Sequence, residues 1–375
     1  MAGIYIHIPF CQSRCIYCGF YSTTLLNLRG QYIDAVCKEM ALRKNYIDNE
    51  AYSTIYIGGG TPSLLTQDEL QKIFSNLYET FNISSDTEIT LECNPNDITT
   101  QFAKMLTQLP VNRISIGTQT FSDSRLKLIH RRHNTQEVYN AINLLRSIGI
   151  SNISIDLMFG FPGETLEEWT SDIDKALELD VEHISAYSLM YEDGTQLTDM
   201  LEQGKIKEID DETSLAMYKV LVSRLISNGY EHYEISNFAR KGYRSRHNSS
   251  YWQQTKYIGL GAAAHSFDIK SRQWNISDIR KYILGIGKGI IPMEREILDA
   301  DTTYNDIITT ALRTKEGINL NKITTQLGNT YRKYLINNAK KHILENTLEL
   351  SGNNLRLTYK GIYLSDMIMS DLMIV

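Results

Sequence analysis

Alternation between strand-like and helix-like segments is the feature that most constrains how this chain can fold. Between the strand-like runs lie segments with the apolar spacing of amphipathic helices, two of them opened by a capping box at Thr66 and Thr165. Strands that alternate with helices form parallel sheets through right-handed crossovers. The sequence therefore predicts an α/β fold that closes as a barrel or partial barrel. The strand-like runs are residues 3–8, 54–57, 88–92, 113–118, 151–158 and 183–189.

A residue suited to chemistry stands at the C-terminal end of each predicted strand. In β/α barrels the functional site is built at that end of the strands. Any one of these residues is equally consistent with an ordinary turn, but six such placements together predict a single site. They are the cysteine loop after the first strand, the glycine run 58–60, Glu92, Gln119, Asp156 and Tyr187.

Three of the five cysteines lie within eight residues, because Cys11, Cys15 and Cys18 have the spacing C-x3-C-x2-C. Thiolates are the usual ligands of iron–sulfur clusters, and three of them leave one iron of a 4Fe–4S cluster open to another molecule. A zinc site is the alternative. Structural zinc needs four closed ligands, and neither Cys37 nor Cys93 stands in a zinc-knuckle spacing. We therefore predict a 4Fe–4S cluster on this loop.

Charge and hydropathy narrow the expected partners and compartment. The formal net charge is −6, opposite in sign to the basic surface of a nucleic-acid-binding protein. No apolar run approaches the ~18 residues of a membrane span, and the N-terminus lacks the pattern of a signal peptide. Five cysteines without a disulfide framework fit a reducing compartment. We expect a cytoplasmic protein that binds no nucleic acid and associates with membranes at most peripherally.

The predicted elements divide the chain into three parts. Residues 1–235 hold the βα units, and residues 236–291 form an extension that contains His247-Asn248-Ser249-Ser250-Tyr251-Trp252. Residues 292–375 contain helical segments followed by a hairpin with a glycine–asparagine turn at 348–357. This last arrangement resembles a winged-helix-like domain.

The cysteine triplet, with the aromatic Tyr17 before its last cysteine, resembles the signature of the radical S-adenosylmethionine (SAM) superfamily. The resemblance implies a partial (β/α)6 TIM-like barrel. It also implies that SAM chelates the open iron and that the reduced cluster cleaves SAM to a 5′-deoxyadenosyl radical. Proteins of this superfamily bind the SAM ammonium group with a glycine-rich segment after the second strand, and Gly59, Gly60 and Thr61 match that segment. The rest of the predicted cofactor-binding set is Tyr5, Tyr17, Glu92, Gln119, Asp156 and Arg131.

Physical chemistry supports several of these assignments. Glu92 can accept from ribose hydroxyls or an amine, and Gln119 and Asp156 offer similar groups from neighbouring strands. Arg131 could bind the SAM carboxylate with two parallel hydrogen bonds. Judged alone, Arg131 is as consistent with a solvated arginine in the basic run 130–133.

Further motifs resemble the oxygen-independent coproporphyrinogen III oxidase family, HemN and its relatives. They lie at residues 5–11, 58–63, 92–95, 115–121 and 155–163, and the C-terminal part resembles the HemN C-terminal domain. Three features favour the haem chaperones of this family, named HemW. Phe20 stands where the oxidases have a fourth cysteine, and the chain starts ten residues before Cys11 whereas the oxidases carry a long extension. In addition, residues 247–252 match the H-N-x-x-Y-W motif associated with haem binding in HemW.

The expected function is therefore binding of a 4Fe–4S cluster, SAM and haem, with transfer of haem to acceptor proteins. Imidazole is a common axial haem ligand, so His247 is the predicted haem-binding residue and His265 the second candidate. From the residues alone, a core histidine packed on aromatics is the favoured interpretation of His247, and the surrounding resemblance to HemW reverses that preference. The alternative function is an oxidase that decarboxylates coproporphyrinogen III, and no catalytic residue is predicted.

Overall fold

The computed structural model describes residues 2–47 and 50–375. Its first six strands pair in parallel in chain order, and each overlaps one of the predicted strand-like runs. The predicted α/β fold is therefore confirmed. These strands are β1 (Ala2–Ile8), β2 (Tyr52–Gly59), β3 (Ile83–Cys93), β4 (Arg113–Gln119), β5 (Ile153–Phe159) and β6 (His183–Ser188).

Helices cover the outer face of this sheet. Both predicted capping boxes are present, and a third opens a helix at Asn134. Each box satisfies backbone N–H groups that have no partner inside the helix. The helices of this part are α1 (Arg29–Leu42), α2 (Gln67–Thr80), α3 (Thr100–Leu106), α4 (Asp123–Leu128), α5 (Thr135–Ser147), α6 (Leu166–Glu178), α7 (Gln196–Glu202) and α8 (Asp211–Ser227).

The middle of the chain extends the same sheet at both edges. Its elements are β7 (Glu231–Glu234), β8 (Asn237–Ala239), α9 (Arg246–Trp252), β9 (Tyr257–Leu260), β10 (His265–Phe267), β11 (Ser271–Asn275), α10 (Ile279–Gly287) and β12 (Met293–Ile297). Over the described residues the strand order is β12-β11-β10-β9-β1-β2-β3-β4-β5-β6-β8-β7. Within this part of the chain the two terminal strands of the order, β12 and β7, do not pair with each other, so the sheet does not close. It is a partial barrel, as predicted.

A second, smaller unit follows with its own apolar core. The predicted hairpin is present, and Gly352 takes a positive φ of 62° in its turn, which favours glycine. No helix in residues 2–47 and 50–375 is long and apolar enough to cross a membrane. The elements are α11 (Ala300–Ala311), β13 (Ile318–Asn319), α12 (Leu320–Leu327), α13 (Asn329–Leu344), β14 (Leu348–Ser351), β15 (Asn354–Leu357), α14 (Tyr359–Ile362) and α15 (Ser365–Leu372). The exact three-part division at residues 235 and 291 stays a prediction.

Side chains alternate between the two faces of each barrel strand. On β1, Ile4, Ile6 and Ile8 are fully buried in the main apolar core, where the helices cover the sheet. The opposite face points into the barrel and is unusually polar. Its residues on β2 to β6 are Thr54, Tyr56, Glu88, Thr90, Glu92, Arg113, Ser115, Ser154, Asp156, His183 and Ser185.

Candidate functional site

The cysteine loop leaves the C-terminal end of β1 and folds back on itself. The backbone N–H of Cys11 donates to the Thr23 carbonyl (2.9 Å). Cys11, Cys15 and Cys18 are free and half-buried, whereas Cys37 and Cys93 are fully buried free thiols. Burial raises the pKa of Cys11 and of Cys18, and the nearby Cys15 thiol raises both further.

These three thiols are unpaired, half-buried and carried on one short loop, a donor set of the type that holds an iron–sulfur cluster. As they stand, no three His, Cys, Asp or Glu side chains of the described chain are arranged to hold a single metal ion. The cluster is therefore a matter of proposal, taken up below.

Two predicted residues contact the cysteine loop directly. The Thr61 hydroxyl donates to Cys11 Sγ (3.5 Å), and Arg131 Nη1 donates to Cys15 Sγ (3.8 Å). Arg131 Nη2 also donates to Asn94 Oδ1 (2.8 Å) and to a backbone carbonyl at residue 117 (2.6 Å). Its Nε is buried without a partner among the described residues. Arg131 is thus held at the mouth by three of its five N–H groups, and its Nε–H is left for an acceptor such as a carboxylate.

Two carboxyl groups face each other across the mouth. Glu92 accepts from the Tyr56 hydroxyl (2.6 Å) and from the backbone N–H of Gly59 (2.9 Å). Burial raises the pKa of Glu92, and these two hydrogen bonds oppose the rise. Burial and the negative charge of Glu92 raise the pKa of Asp156 to about 7. The mouth therefore holds one carboxyl group fixed by two hydrogen bonds, Glu92, and a second, Asp156, whose pKa lies near neutrality.

Packing within the protein explains why residues 59 and 60 are glycines. Gly59 has a φ of +111°, and a Cβ there would lie 2.5 Å from the His7 ring. A Cβ on Gly60 would lie 2.8 Å from the backbone oxygens of Ile8 and Phe10. A side chain at residue 60 would therefore push on the backbone that leads into Cys11. The binding of the SAM ammonium group by this segment stays a prediction.

The remaining predicted residues lie at different depths. Gln119 ends β4 with a φ of +69°, a strained value of the kind that clusters at functional sites. Tyr17 is half-buried and packs on the apolar cluster around Ile16. Tyr5 lies deeper in the barrel, where its hydroxyl bonds His7 Nδ1 (2.9 Å). Tyr187 is the last residue but one of β6 and is exposed, at 39 %.

His247 lies at the opposite end of the barrel, beside the first residues of β1 and β2. Its Nδ1 bonds the Thr54 hydroxyl and its Nε2 bonds the Tyr251 hydroxyl, both at 2.8 Å. The residue is 1 % exposed, and burial lowers its pKa to about 3. In this arrangement neither nitrogen is free to bind iron. His265, by contrast, is exposed on β10 and stacks on Trp274 with ring centroids 6.0 Å apart.

Comparison with known proteins gives the family. The Radical SAM superfamily model matches residues 5–176, and the HemN C-terminal domain model matches residues 298–364. The chain is 33% identical over 366 residues to "Heme chaperone HemW" of Lactococcus lactis, covering 96% of this chain and 94% of that protein. It is also 33% identical over 368 residues to "Heme chaperone HemW" of Bacillus subtilis, covering 96% of each. The chain belongs to the HemW family.

Among solved structures, that of coproporphyrinogen III oxidase HemN from Escherichia coli, described as a radical SAM enzyme, matches with a TM-score of 0.85. It covers 99% of this chain and 89% of the HemN chain at 22% identity. The likeness confirms the fold of the barrel and the C-terminal domain. Membership of the radical SAM superfamily implies a 4Fe–4S cluster and SAM in this HemW-family chain.

Sequence reasoning missed several residues that organise the mouth. Tyr56 holds Glu92, and Asn94 joins Arg131 to His133. Arg113 is 1 % exposed inside the barrel, where its Nε and Nη1 have no partner among the described residues. A signal for these residues was present, because polar side chains at alternate positions of a buried strand indicate a polar inner face.

Proposed function

We propose that this HemW-family protein is a haem chaperone that binds a 4Fe–4S cluster, SAM and haem and passes haem to acceptor proteins. The observation that carries the proposal is 33% identity to proteins named heme chaperone HemW over 94–96% of their length. The arrangement of thiols, carboxyls and an arginine at one barrel mouth supports it.

Cys11, Cys15 and Cys18 would hold the cluster, which when bound supplies the electron that cleaves SAM. The other mouth residues act on SAM itself. Arg131 offers its free Nε–H and fixed guanidinium to the SAM carboxylate. Glu92, held by two hydrogen bonds, accepts from hydroxyl or amine groups, and Asp156 and Gln119 offer further polar groups beside it.

Haem needs an imidazole that iron can reach. Ligation by His247, the residue predicted from the motif, requires α9 to leave the barrel end, because both ring nitrogens are hydrogen bonded there. His265 is exposed without any such change, and Trp274 beside it presents a flat apolar surface. We therefore propose haem binding through one of these two histidines.

The test is an anaerobic comparison of haem binding and oxidase activity. Wild-type protein, His247→Ala and His265→Ala are reconstituted with iron and sulfide and titrated with haem by absorbance. We expect one variant to lose the axial-imidazole spectrum while its iron content stays normal. Separately, wild-type protein is incubated with coproporphyrinogen III, SAM and reductant. Release of carbon dioxide there, without haem retention, would replace the chaperone proposal by the oxidase.

A further inference from the structure

The end of the barrel opposite the cysteine loop is closed by α9. The Glu88 carboxylate accepts from the first two helical N–H groups, those of Arg246 (3.0 Å) and His247 (2.9 Å). Ser245 caps the same end by accepting from the N–H of Asn248 (3.3 Å). These bonds satisfy N–H groups that a helix leaves open, so α9 is anchored to β3 inside the barrel.

The His247 ring projects from α9 into the barrel and is fixed on all sides. Hydrogen bonds to Thr54 and Tyr251 hold its two nitrogens. Its face stacks on Tyr56, with centroids 5.1 Å apart and planes inclined by 25°. Tyr5 lies next to the pair, 6.2 Å from Tyr56 and 6.5 Å from His247. Offset stacks of this kind prefer a defined geometry.

Tyr56 connects this stack to the mouth. Its ring lies on His247, and its hydroxyl donates to Glu92 Oε1 at 2.6 Å, a short bond typical of a charged acceptor. The space between the two side chains exists because residue 58 is glycine. A Cβ on Gly58 would lie 2.7 Å from the Tyr56 ring and 2.8 Å from the Glu92 carboxylate.

We propose that α9 tunes SAM affinity from the far end of the barrel, with His247 and Tyr56 as positioning residues that hold the Glu92 carboxylate. The H-N-x-x-Y-W segment then serves the SAM site through contacts that exist before any haem is bound. This inference rests on the proposed function in one respect, because it requires Glu92 to bind SAM.

The pH dependence of SAM binding reports the charge state of Glu92. A purely structural role of Tyr56 would leave that pH dependence unchanged. The titratable and charged groups that interact electrostatically with Glu92 are Tyr5, Tyr56, Cys93, Arg113, Asp156 and Tyr251. Of these, the Tyr56 hydrogen bond and the positive charge of Arg113 lower the Glu92 pKa and so favour the carboxylate. Removing the hydroxyl therefore raises that pKa. The pH at which SAM affinity is half lost on acidification moves upward in consequence.

The decisive variant is Tyr56→Phe, which deletes only the hydroxyl. We expect the Kd for SAM to rise about tenfold, as for loss of one hydrogen bond to a charged group. The pH midpoint of binding should rise as well, with iron content unchanged. Calorimetry on anaerobically reconstituted protein measures both. The matched control is Tyr52→Phe, on the same strand, whose buried hydroxyl has no partner in the described structure. Its affinity should equal that of wild type.

Two further variants separate the possible failures. Glu92→Gln should weaken SAM binding, and if it does not, the proposed SAM site is wrong. If Glu92→Gln weakens binding but Tyr56→Phe does not, the positioning inference is overturned while the SAM site stands. His247→Leu extends the test to α9 and should weaken SAM binding in the same direction. Should that variant not fold, Tyr56→Phe decides alone.

Discussion

At the scale of single residues, His183 shows how the barrel interior couples stability to pH. Its nitrogens bond the Ser154 hydroxyl and the Tyr233 hydroxyl, both at 2.7 Å, and burial lowers its pKa well below the usual value. The unfolded chain takes up this proton below about pH 6.5. The stability from keeping His183 neutral is therefore present above that pH and lost on acidification. We predict that His183→Gln is destabilising at about pH 7.5, and that its deficit shrinks by about 2 kcal/mol at about pH 5.

Urea unfolding at the two pH values measures this difference. Because each comparison is made against wild type at the same pH, other titrating groups cancel to first order. His130→Gln is the control for replacing an imidazole that lies outside the barrel interior, since His130 is exposed. An unchanged deficit for His183→Gln would mean that the folded protein takes up the proton at His183.

At the scale of an element, the stability of α9 depends on the Glu88 carboxylate, which lies on β3. Glu88 is 6 % exposed and accepts the two N–H groups that open this seven-residue helix. A helix so short has little stability of its own. We predict that Glu88→Gln, which can accept both bonds through only one oxygen and no charge, lowers the free energy of unfolding by roughly 1–2 kcal/mol. It should also speed amide hydrogen exchange in residues 246–252.

Mass spectrometry of exchanged peptides reads the local effect. The control Glu212→Gln changes an exposed residue in the first turn of α8 and should leave exchange in residues 246–252 unaltered. Exchange that rises equally over the whole barrel in Glu88→Gln would indicate global destabilisation instead of local opening of α9.

At the scale of the whole molecule, one partly exposed arginine joins the C-terminal domain to the barrel. Arg313 Nε donates to Glu234 Oε1 (2.9 Å), and the Glu234 side chain is fully buried. Arg313 also lies over the ring of Trp252, 5.0 Å from its centroid. Removing one partner leaves a buried charge without a counterion. We predict that Arg313→Met destabilises the protein by about 3 kcal/mol and makes the C-terminal domain unfold at a lower temperature than the barrel.

Calorimetry with limited proteolysis tests this prediction. Arg356→Met breaks a more exposed ion pair with Glu349 inside the C-terminal domain and should cost under about 1 kcal/mol. A single unshifted transition in Arg313→Met would show that the domain junction does not depend on this pair.

Local patterns in the sequence were enough to predict the strands and helices of the barrel and the end of the strands at which its mouth lies. Strand and helix periods predicted all six βα units, because side-chain spacing is set locally by the backbone of each element. The capping boxes at Thr66 and Thr165 could be predicted because each joins two residues only three positions apart in the chain. Motif spacing around the cysteines was enough to indicate the superfamily, since the three cysteines lie on one short loop.

Which side chains meet depends on how distant strands are placed side by side, and no local pattern predicts that. Tyr56 and Glu92 are 36 residues apart in the chain, and Thr54 and His247 are 193 apart. Periodicity assigns a residue to a face of its strand but says nothing about register or about the residue opposite. Nor did it predict α9, since a seven-residue polar segment has too few apolar positions to show a helical period. The burial of Arg113 and the packing of Gly59 on His7 depend on the same long-range register.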